Sequence, residues 1–415
     1  MRVLHVVHQY LPDQVGGTEL YTHWLVQRLQ RRGHHVTVFF RRDRSGSGFE
    51  CCDEENGVRI CAAWSGSVTS EQRFMSAFSD RHLFDAFQHV LQDAQPDIVH
   101  IQHLLGLPIA LVRHVMNAKV PVVITLHDFW WVCANAQLLT NFDQQVCDGP
   151  RMYLNCARCA VARTGRSSLW PMLPVIPVPL AWRNYLLRRV LRAANWAVAP
   201  TMFVREWYVN HGVPRERSSV IPHGLDPPAQ LRHRPPNEDR PLRCAYIGGL
   251  SWQKGVHVAL EAFGRVNGKV EFWIAGDESA DPDYVSYLRE QAPPSVRFLG
   301  KLAREAVWEI LSQVDAVVVP SIWYETFSFL VSEAFAAGLP VIASRQGALA
   351  ERVNDGVDGL LVPPGDVAAW RATLQRLVDE PELLSQLSAN VQPPLSLDGH
   401  VDEVESVYRR VLDAS

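Results

Sequence analysis

The sequence predicts an α/β protein of two doubly wound, Rossmann-like units in succession. Two observations carry the prediction. Short apolar strands alternate with amphipathic helices from the first residues onward, and the rhythm restarts near residue 242 after a polar, proline-rich stretch at 227–241. With 415 residues, 47% of them apolar, the chain has material for about two or three domains.

In the first series, residues 2–7 read as a strand and 9–18 as a loop holding Pro12, Gly16 and Gly17. Residues 20–31 have helical periodicity, with Leu20, Trp24, Leu25 and Leu29 on one face. Gly33 ends that helix and 36–40 is the next strand, so the unit is βαβ and its sheet parallel. Strands at 98–102, 122–126 and 196–199 continue it, the last after a helix at 181–194. The tract 149–178 breaks the rhythm and reads as the irregular part of a cysteine-containing insertion at about 133–178. The second series has strands at 244–247, 271–275, 296–299, 316–319, 340–343 and 359–362, with helices at 256–265 and 329–337. The expected boundaries are therefore 1–226 and 227–395, the stretch 227–241 being a linker, with a terminal segment 396–415. That segment holds a helix near 400–413, after Pro393-Pro394; its pattern alone does not place it, and a return to the first unit is one option. Two such units are expected to face one another across a cleft, with ligands at the carboxyl ends of the strands.

Composition narrows the function. A net charge of −4 is too close to balance for nucleic acid as the main partner. The first residues lack a signal-peptide pattern, and no stretch offers the roughly 20 apolar residues of a membrane span. The most apolar stretch, 169–180, carries four prolines. The expected location is the cytoplasm, where the eight cysteines would be reduced or metal-bound rather than paired as disulfides. No Gly-x-Gly-x-x-Gly follows the first strand, and Gly16-Gly17 comes too late for a dinucleotide loop, which argues against a dehydrogenase.

The strongest chemical signal lies at 320–335. A strand ends at Pro320, an aromatic loop follows, and a helix starts near Phe327. Glu325 lies just before that helix and Glu333 within it, a separation of about 8 Å along the helix axis. That reach suits two hydroxyl-rich rings joined by a diphosphate, with the helix-start N–H groups between them favouring phosphate. The spacing alone also fits a helix N-terminal charge and a surface residue. The helix is otherwise apolar, however, and a buried Glu333 needs a partner. Lys254, between a strand-turn and a helix, is a candidate cation. His127 ends the strand 122–126, and His103, after 98–102, is a weaker candidate.

These residues resemble the family-4 glycosyltransferases, whose signature is two glutamates separated by seven residues. The match continues through Gly347, Glu351, Asp355-Gly356, Gly359, Leu361-Val362 and Pro364-Gly365-Asp366. It also covers Gly16-Gly17 with Glu19, residues 221–226 and residues 246–250, so it spans nearly the whole chain in order. The resemblance implies a GT-B fold and retaining transfer of a sugar from a nucleoside-diphosphate donor to a glycan or lipid-linked acceptor, in cell-surface polysaccharide or glycolipid synthesis. By it, Glu333 would hold the donor ribose, Glu325 the donor sugar, and the backbone around Phe327, Ser328, Phe329 and Leu330 the distal phosphate. Gly16 and Gly17 would let backbone approach that phosphate, Lys254 would neutralise the diphosphate, and His127 would face the donor sugar. The family often has arginine at the position of Gly249 and glycine at that of Ser328, so this chain departs from it twice. Front-face attack, with the departing phosphate taking the acceptor proton, would need no carboxylate base, unlike the paired carboxylates of hydrolases. No Asp-x-Asp stands in a suitable loop, since Asp281-Pro282-Asp283 reads as a turn, and no catalytic metal or other cofactor is expected. A nucleotide-sugar epimerase and a non-catalytic sugar-nucleotide-binding module are the competing readings.

Two further features stand apart. Cys133, Cys147, Cys156 and Cys159 fall within 27 residues and end in a Cys-x-x-Cys, a spacing suited to a structural zinc or to four reduced thiols in a packed loop. The predicted helix at 180–196 carries Arg183, Arg188, Arg189 and Arg192 beside leucines, which fits either an ordinary surface helix or a peripheral contact with the inner face of the membrane.

Overall fold

The computed structural model describes residues 1–53, 56–66, 69–228 and 240–414. Most of the expected linker, residues 229–239, lies outside the described residues. The chain forms two compact units, Met1–Gly224 with Ser396–Ser415, and Leu225–Leu395.

The first unit is built on strands β1 (Arg2–Val7), β2 (His35–Arg41), β3 (Ser47–Asp53), β4 (Arg59–Ser65), β5 (Ile98–Ile101), β6 (Val122–Thr125), β7 (Trp196–Ala199) and β8 (Ser218–Val220). Their order is β3-β4-β2-β1-β5-β6-β7-β8. Every pair is parallel except β3 with β4. Central strands such as β5 and β6 are buried throughout, which is why they read as continuous apolar runs. The β3–β4 hairpin has no counterpart in the sequence reading, because β3 is a half-exposed edge strand whose Gly48, Glu50 and Asp53 hide its period. Cys51 faces Cys61 across this pair, Cα to Cα 4.1 Å, and the two form a disulfide. This corrects the expectation that all eight cysteines are reduced or metal-bound: direct opposition on antiparallel strands brings two thiols within bonding reach.

The insertion is more regular than expected. Residues 154–164 form a helix (Leu154–Thr164), followed by a 3-10 segment (Ser167–Met172) and the helix Pro177–Ala193. This last helix starts before the predicted residue 181 because Pro177 occupies its first turn, where the missing N–H costs nothing. The helix Leu397–Asp413 packs in this same unit against Gly17–Arg31. Asp398 pairs with Arg28 at 2.8 Å and with Arg32 at 3.0 Å, and His34 meets Glu405 at 3.1 Å. Beneath them the buried Tyr408 hydroxyl lies 2.6 Å from His100 Nδ1.

The second unit has six parallel strands, β9 (Leu242–Ile247), β10 (Val270–Ala275), β11 (Val296–Gly300), β12 (Ala316–Val319), β13 (Val341–Ser344) and β14 (Gly359–Val362), in the order β11-β10-β9-β12-β13-β14. One face is covered by a cluster including Phe263, stacked on Phe272 at 4.4 Å, and Trp370; the other by Val331, Ala334 and Leu349.

Both sheets reverse direction once. β1 lies between β2 and β5, and β9 lies between β10 and β12. Loops leaving these strands diverge, opening a crevice at the carboxyl ends where such folds bind ligands.

Candidate functional site

In the second unit, the loop after β12 and the turn after β9 meet at this crevice. Ser321 and Glu325 are buried, and one carboxylate oxygen of Glu325 takes three donors. Lys254 Nζ donates at 2.9 Å, Ser321 Oγ at 2.7 Å and Trp323 Nε1 at 2.9 Å. Lys254 also sits 5.0 Å from the centroid of the Trp323 ring. Burial alone would raise the Glu325 pKa; the adjacent Lys254 charge and these three hydrogen bonds bring it below the ordinary carboxylate value instead. Glu325 is therefore held as the anion.

Local sequence explains the arrangement. Gly255 has φ +67, and a Cβ there would lie 2.0 Å from the Pro320 carbonyl oxygen. Only glycine lets the turn at 252–255 come this close to the end of β12. The contact is fixed by Ile322 N–H donating to Gln253 O at 3.0 Å. From the far side, Gln346 Nε2 donates to the carbonyls of Ser321 (2.8 Å) and Trp323 (3.0 Å), and Ala348 N–H to that of Glu325 (3.1 Å). Sequence reasoning missed Gln346, Ser321 and Trp323, although the last two flank Glu325 in the same loop.

The following helix is Phe329–Ala336, within a residue of the expected 329–337, with Ser328 as its N-cap. Ser328 holds φ +67, the conformation that favours the glycine usual in the resembling family. Arg352 steadies this turn. Its Nη1 donates to Phe327 O at 2.7 Å and Ser328 O at 2.6 Å, Nη2 donates to Ser332 Oγ at 2.8 Å, and the guanidinium lies 3.8 Å from the Phe327 ring centroid. Phe327 and Leu330 are buried, and Phe329 meets Phe327 edge-on at 5.4 Å. Glu333, buried in this helix, has the partner its burial demands: Arg304, from the start of the helix Arg304–Leu311, donates to its carboxylate. No local signal links residues 29 apart, so Arg304 was not legible. At Gly249 a Cβ would meet nothing within 4 Å, so the backbone here has room for the start of a side chain. Asp281, of the Asp-x-Asp read as a turn, caps the helix Pro282–Gln291 by accepting from Tyr284 N–H at 3.3 Å.

Gly16, Gly17 and His127 belong to the other unit. Gly16 is the N-cap of Gly17–Arg31, and a Cβ there would sit 2.5 Å from the Glu19 carboxylate. Glu19 is buried; burial raises its pKa, against backbone hydrogen bonds from its own residue and Gly16. His8 Nε2 lies 3.2 Å from Glu19, and the His8 ring is 4.4 Å from that of His103. His103 Nδ1 accepts from Leu105 N–H at 3.1 Å, so its proton is on Nε2, which donates to Asp128 at 3.1 Å. His127 is buried beside this chain, its Nε2 2.9 Å from Gln102 Oε1 and its ring 4.8 Å from Tyr21. Burial foremost pushes the His127 pKa down to about 3, so it is neutral near pH 7. His8, His103 and His127 follow β1, β5 and β6, three neighbours in the sheet. The strand-end rule that singled out His127 reaches His8 and Asp128 as well, which the sequence reading left aside.

Among the described residues no three His, Cys, Asp or Glu side chains are placed to hold a metal ion. The four insertion thiols are neighbours nonetheless. Burial first, then Cys133, Cys147 and Cys159, push the Cys156 thiol up to about 12. Cys147 Sγ accepts from Gly149 N–H and Asn155 Nδ2 at 3.4 Å each, and Cys159 Sγ from Asn141 N–H at 3.3 Å. The arginine-bearing helix needs one correction. Arg183 is buried, donating to Trp130 O at 2.7 Å and Asn184 Oδ1 at 2.8 Å, and Leu187, Val190 and Leu191 pack inward with it. Its basic face is therefore Arg188, Arg189 and Arg192. No helix among the described residues is long and apolar enough to cross a membrane.

Two family models cover most of the chain: "Glycosyltransferase Family 4" over residues 15–228 and "Glycosyl transferases group 1" over 241–380. A glycogen synthase of Mycobacterium tuberculosis (strain ATCC 25618 / H37Rv) is 27% identical over 406 residues, 96% of this chain and 91% of its own. A D-inositol 3-phosphate glycosyltransferase of Mycolicibacterium smegmatis is 34% identical over 175 residues, 40% of each chain. Among solved structures, sucrose-phosphate synthase from Thermosynechococcus elongatus superposes with TM-score 0.75 at 18% identity, covering 100% of this chain and 99% of its own. Anabaena HepE, solved with UDP and glucose, gives TM-score 0.68 at 18% identity over 99% of both.

Proposed function

Because the chain belongs to glycosyltransferase family 4 and has the GT-B fold, we propose that it is a retaining enzyme moving a sugar from a nucleoside-diphosphate donor to a glycan or lipid-linked acceptor. Synthesis of a cell-surface polysaccharide or glycolipid is the setting this reading implies. The observation that carries it is the Glu325 oxygen holding Lys254, Ser321 and Trp323 at the switch point of the second sheet. Lys254, anchored in this way, supplies a fixed positive charge for the diphosphate leaving group, and the first turn of Phe329–Ala336 adds backbone N–H groups. Glu333 takes the donor ribose while Arg304 holds it in place. Glu325, with three donors on one oxygen and kept ionised, is poorly suited to carry a proton in the reaction. This supports transfer in which the departing phosphate takes the acceptor proton and Glu325 positions the sugar. Neutral His127 offers a hydrogen bond to a sugar hydroxyl.

The test is release of nucleoside diphosphate from uridine, guanosine and adenosine diphosphate sugars, with product configuration read by NMR. Lys254→Ala and Glu325→Ala should each lower turnover by about a hundredfold or more at unchanged circular dichroism. Full turnover in both would remove these roles. An inverted product would sink retention, and donor conversion without acceptor would favour the epimerase.

We also propose a structural zinc on Cys133, Cys147, Cys156 and Cys159. The N–H···S bonds to Cys147 and Cys159 are of the kind that stabilise thiolates, and the thiols would turn toward one another to close the cage. About one zinc per chain is expected on metal analysis; none, with all four thiols titratable in the native protein, would end the idea.

A further inference from the structure

The tract 149–205 contains nine arginines and no lysine, aspartate or glutamate, in a chain whose net charge is −4. Seven of the nine are exposed: Arg151, Arg158, Arg163, Arg166, and the trio Arg188, Arg189 and Arg192. Of these, only Arg151 (Asp148, 3.7 Å) and Arg166 (Glu71, 3.8 Å) have a carboxylate within ion-pair distance among the described residues. The same tract is the most apolar part of the surface. Among the described residues, eight of the fourteen exposed large hydrophobic side chains fall at 152–185.

The two properties are ordered along one helix face. On Pro177–Ala193, the exposed Val178, Trp182, Tyr185, Arg189 and Arg192 recur every three or four residues, so they share a face. Trp182 stacks on Tyr185 at 5.4 Å, and Arg189 lies 5.8 Å from the Tyr185 ring. The opposite face, with Leu180, Leu187 and Leu191, is already committed to the protein core. Just before the helix, Trp170, Met172 and Val175 are about half exposed or more. Aromatic and aliphatic tips beside unopposed arginines match the boundary between acyl chains and anionic headgroups. A folded acidic partner would satisfy the arginines but gives no reason for indole and methionine tips to stand in water.

We propose that residues 166–192 are a docking surface for an anionic lipid bilayer, with Trp170, Met172, Trp182 and Tyr185 inserting at the interface and Arg188, Arg189 and Arg192 held by lipid phosphates. The inference does not rest on the donor chemistry, and its test reads no sugar transfer. The full chain is floated with vesicles of phosphatidylcholine alone or with added phosphatidylglycerol, at low and high salt. Binding is expected only with the anionic vesicles and should fall with salt. Charge reversal of the trio (Arg188→Glu, Arg189→Glu, Arg192→Glu) should weaken it about a hundredfold or more, since each basic residue near an anionic surface is worth about 1 kcal/mol, roughly a factor of five. Trp182→Ser with Tyr185→Ser should weaken it about tenfold, at unchanged dichroism and melting temperature. No binding of the wild-type chain to anionic vesicles overturns the proposal, as does equal binding to neutral ones. So does capture of the chain by polyglutamate but not by vesicles. If one set of variants unfolds, the other still decides.

Discussion

The switch points of the two sheets use opposite electrostatics. In the second unit charge is kept: Glu325 is buried, yet three donors and Lys254 hold it ionised. In the first unit five histidines are kept neutral, although Asp128 among them is, despite burial, held below its ordinary value by His103. Burial pushes His5 and His127 down to about 3 and His400 to about 4, and His8 and His100 well below their ordinary value. Depth is not what separates them. The difference is the number of opposite charges and donors aimed at each group, three at a single Glu325 oxygen against a neutral amide at His127. A fixed ion pair suits a charged diphosphate, whereas a neutral lining suits hydroxyls.

Acid should expose this contrast most strongly. The five histidines have folded pKa values below the ordinary 6.5, so the unfolded chain takes protons first. Their stabilisation is complete above about pH 6.5 and is lost as pH falls toward their folded values, at of order 1 kcal/mol per pH unit for each. Glu325 works the other way: its contribution is present above about pH 4.5 and is lost only as pH falls through its lower folded pKa. Between pH 6.5 and 4.5 the histidine-rich unit should therefore weaken selectively; in the second unit only His257, at about 4, shares the bias among the described residues. Hydrogen exchange corrected for intrinsic rates should show β1 and β5 opening before β9 and β12, and equal protection at pH 5 would break the comparison.

The next effect is backbone. Gly255→Ala should destabilise the second unit by about 3 kcal/mol and cut turnover, because its methyl must displace the Pro320 carbonyl and with it Lys254. An unchanged chemical denaturation midpoint would mean the turn is not pinned by that contact. Gly249→Arg adds the second cation into open space and should raise kcat/KM for donor by about tenfold, while leaving the melting temperature within a few degrees. Lower activity would show that Lys254 and the helix already satisfy the phosphates. Smallest is Ser328→Gly, expected to stabilise by about 1 kcal/mol by removing a side chain from φ +67.

What the sequence disclosed followed from local periodicity. Buried strands such as Ala316–Val319, the helix carrying Glu333 and the glycine turn before Lys254 were legible because their signals lie within a few residues. The β3–β4 hairpin and its disulfide were not, since an exposed edge strand keeps no apolar alternation. In the site, the need for a counter-charge to Glu333 was visible, but the identity of Arg304 was not, because it is brought in from another helix. Gln346 and Arg352 escaped for the same reason: their work is on carbonyl groups, which no side-chain pattern announces.

The return of residues 397–413 to the first unit also orders events during synthesis. His100 finds Tyr408, and Tyr21 finds His400, only across 308 and 379 residues of chain. The second unit is one stretch of chain, 225–395, synthesised before that helix is. The unit that is made first is thus finished last. Until then its buried histidines and the apolar face of Gly17–Arg31 stand open, leaving a long interval in which the nascent first unit is most exposed to aggregation and most dependent on protection.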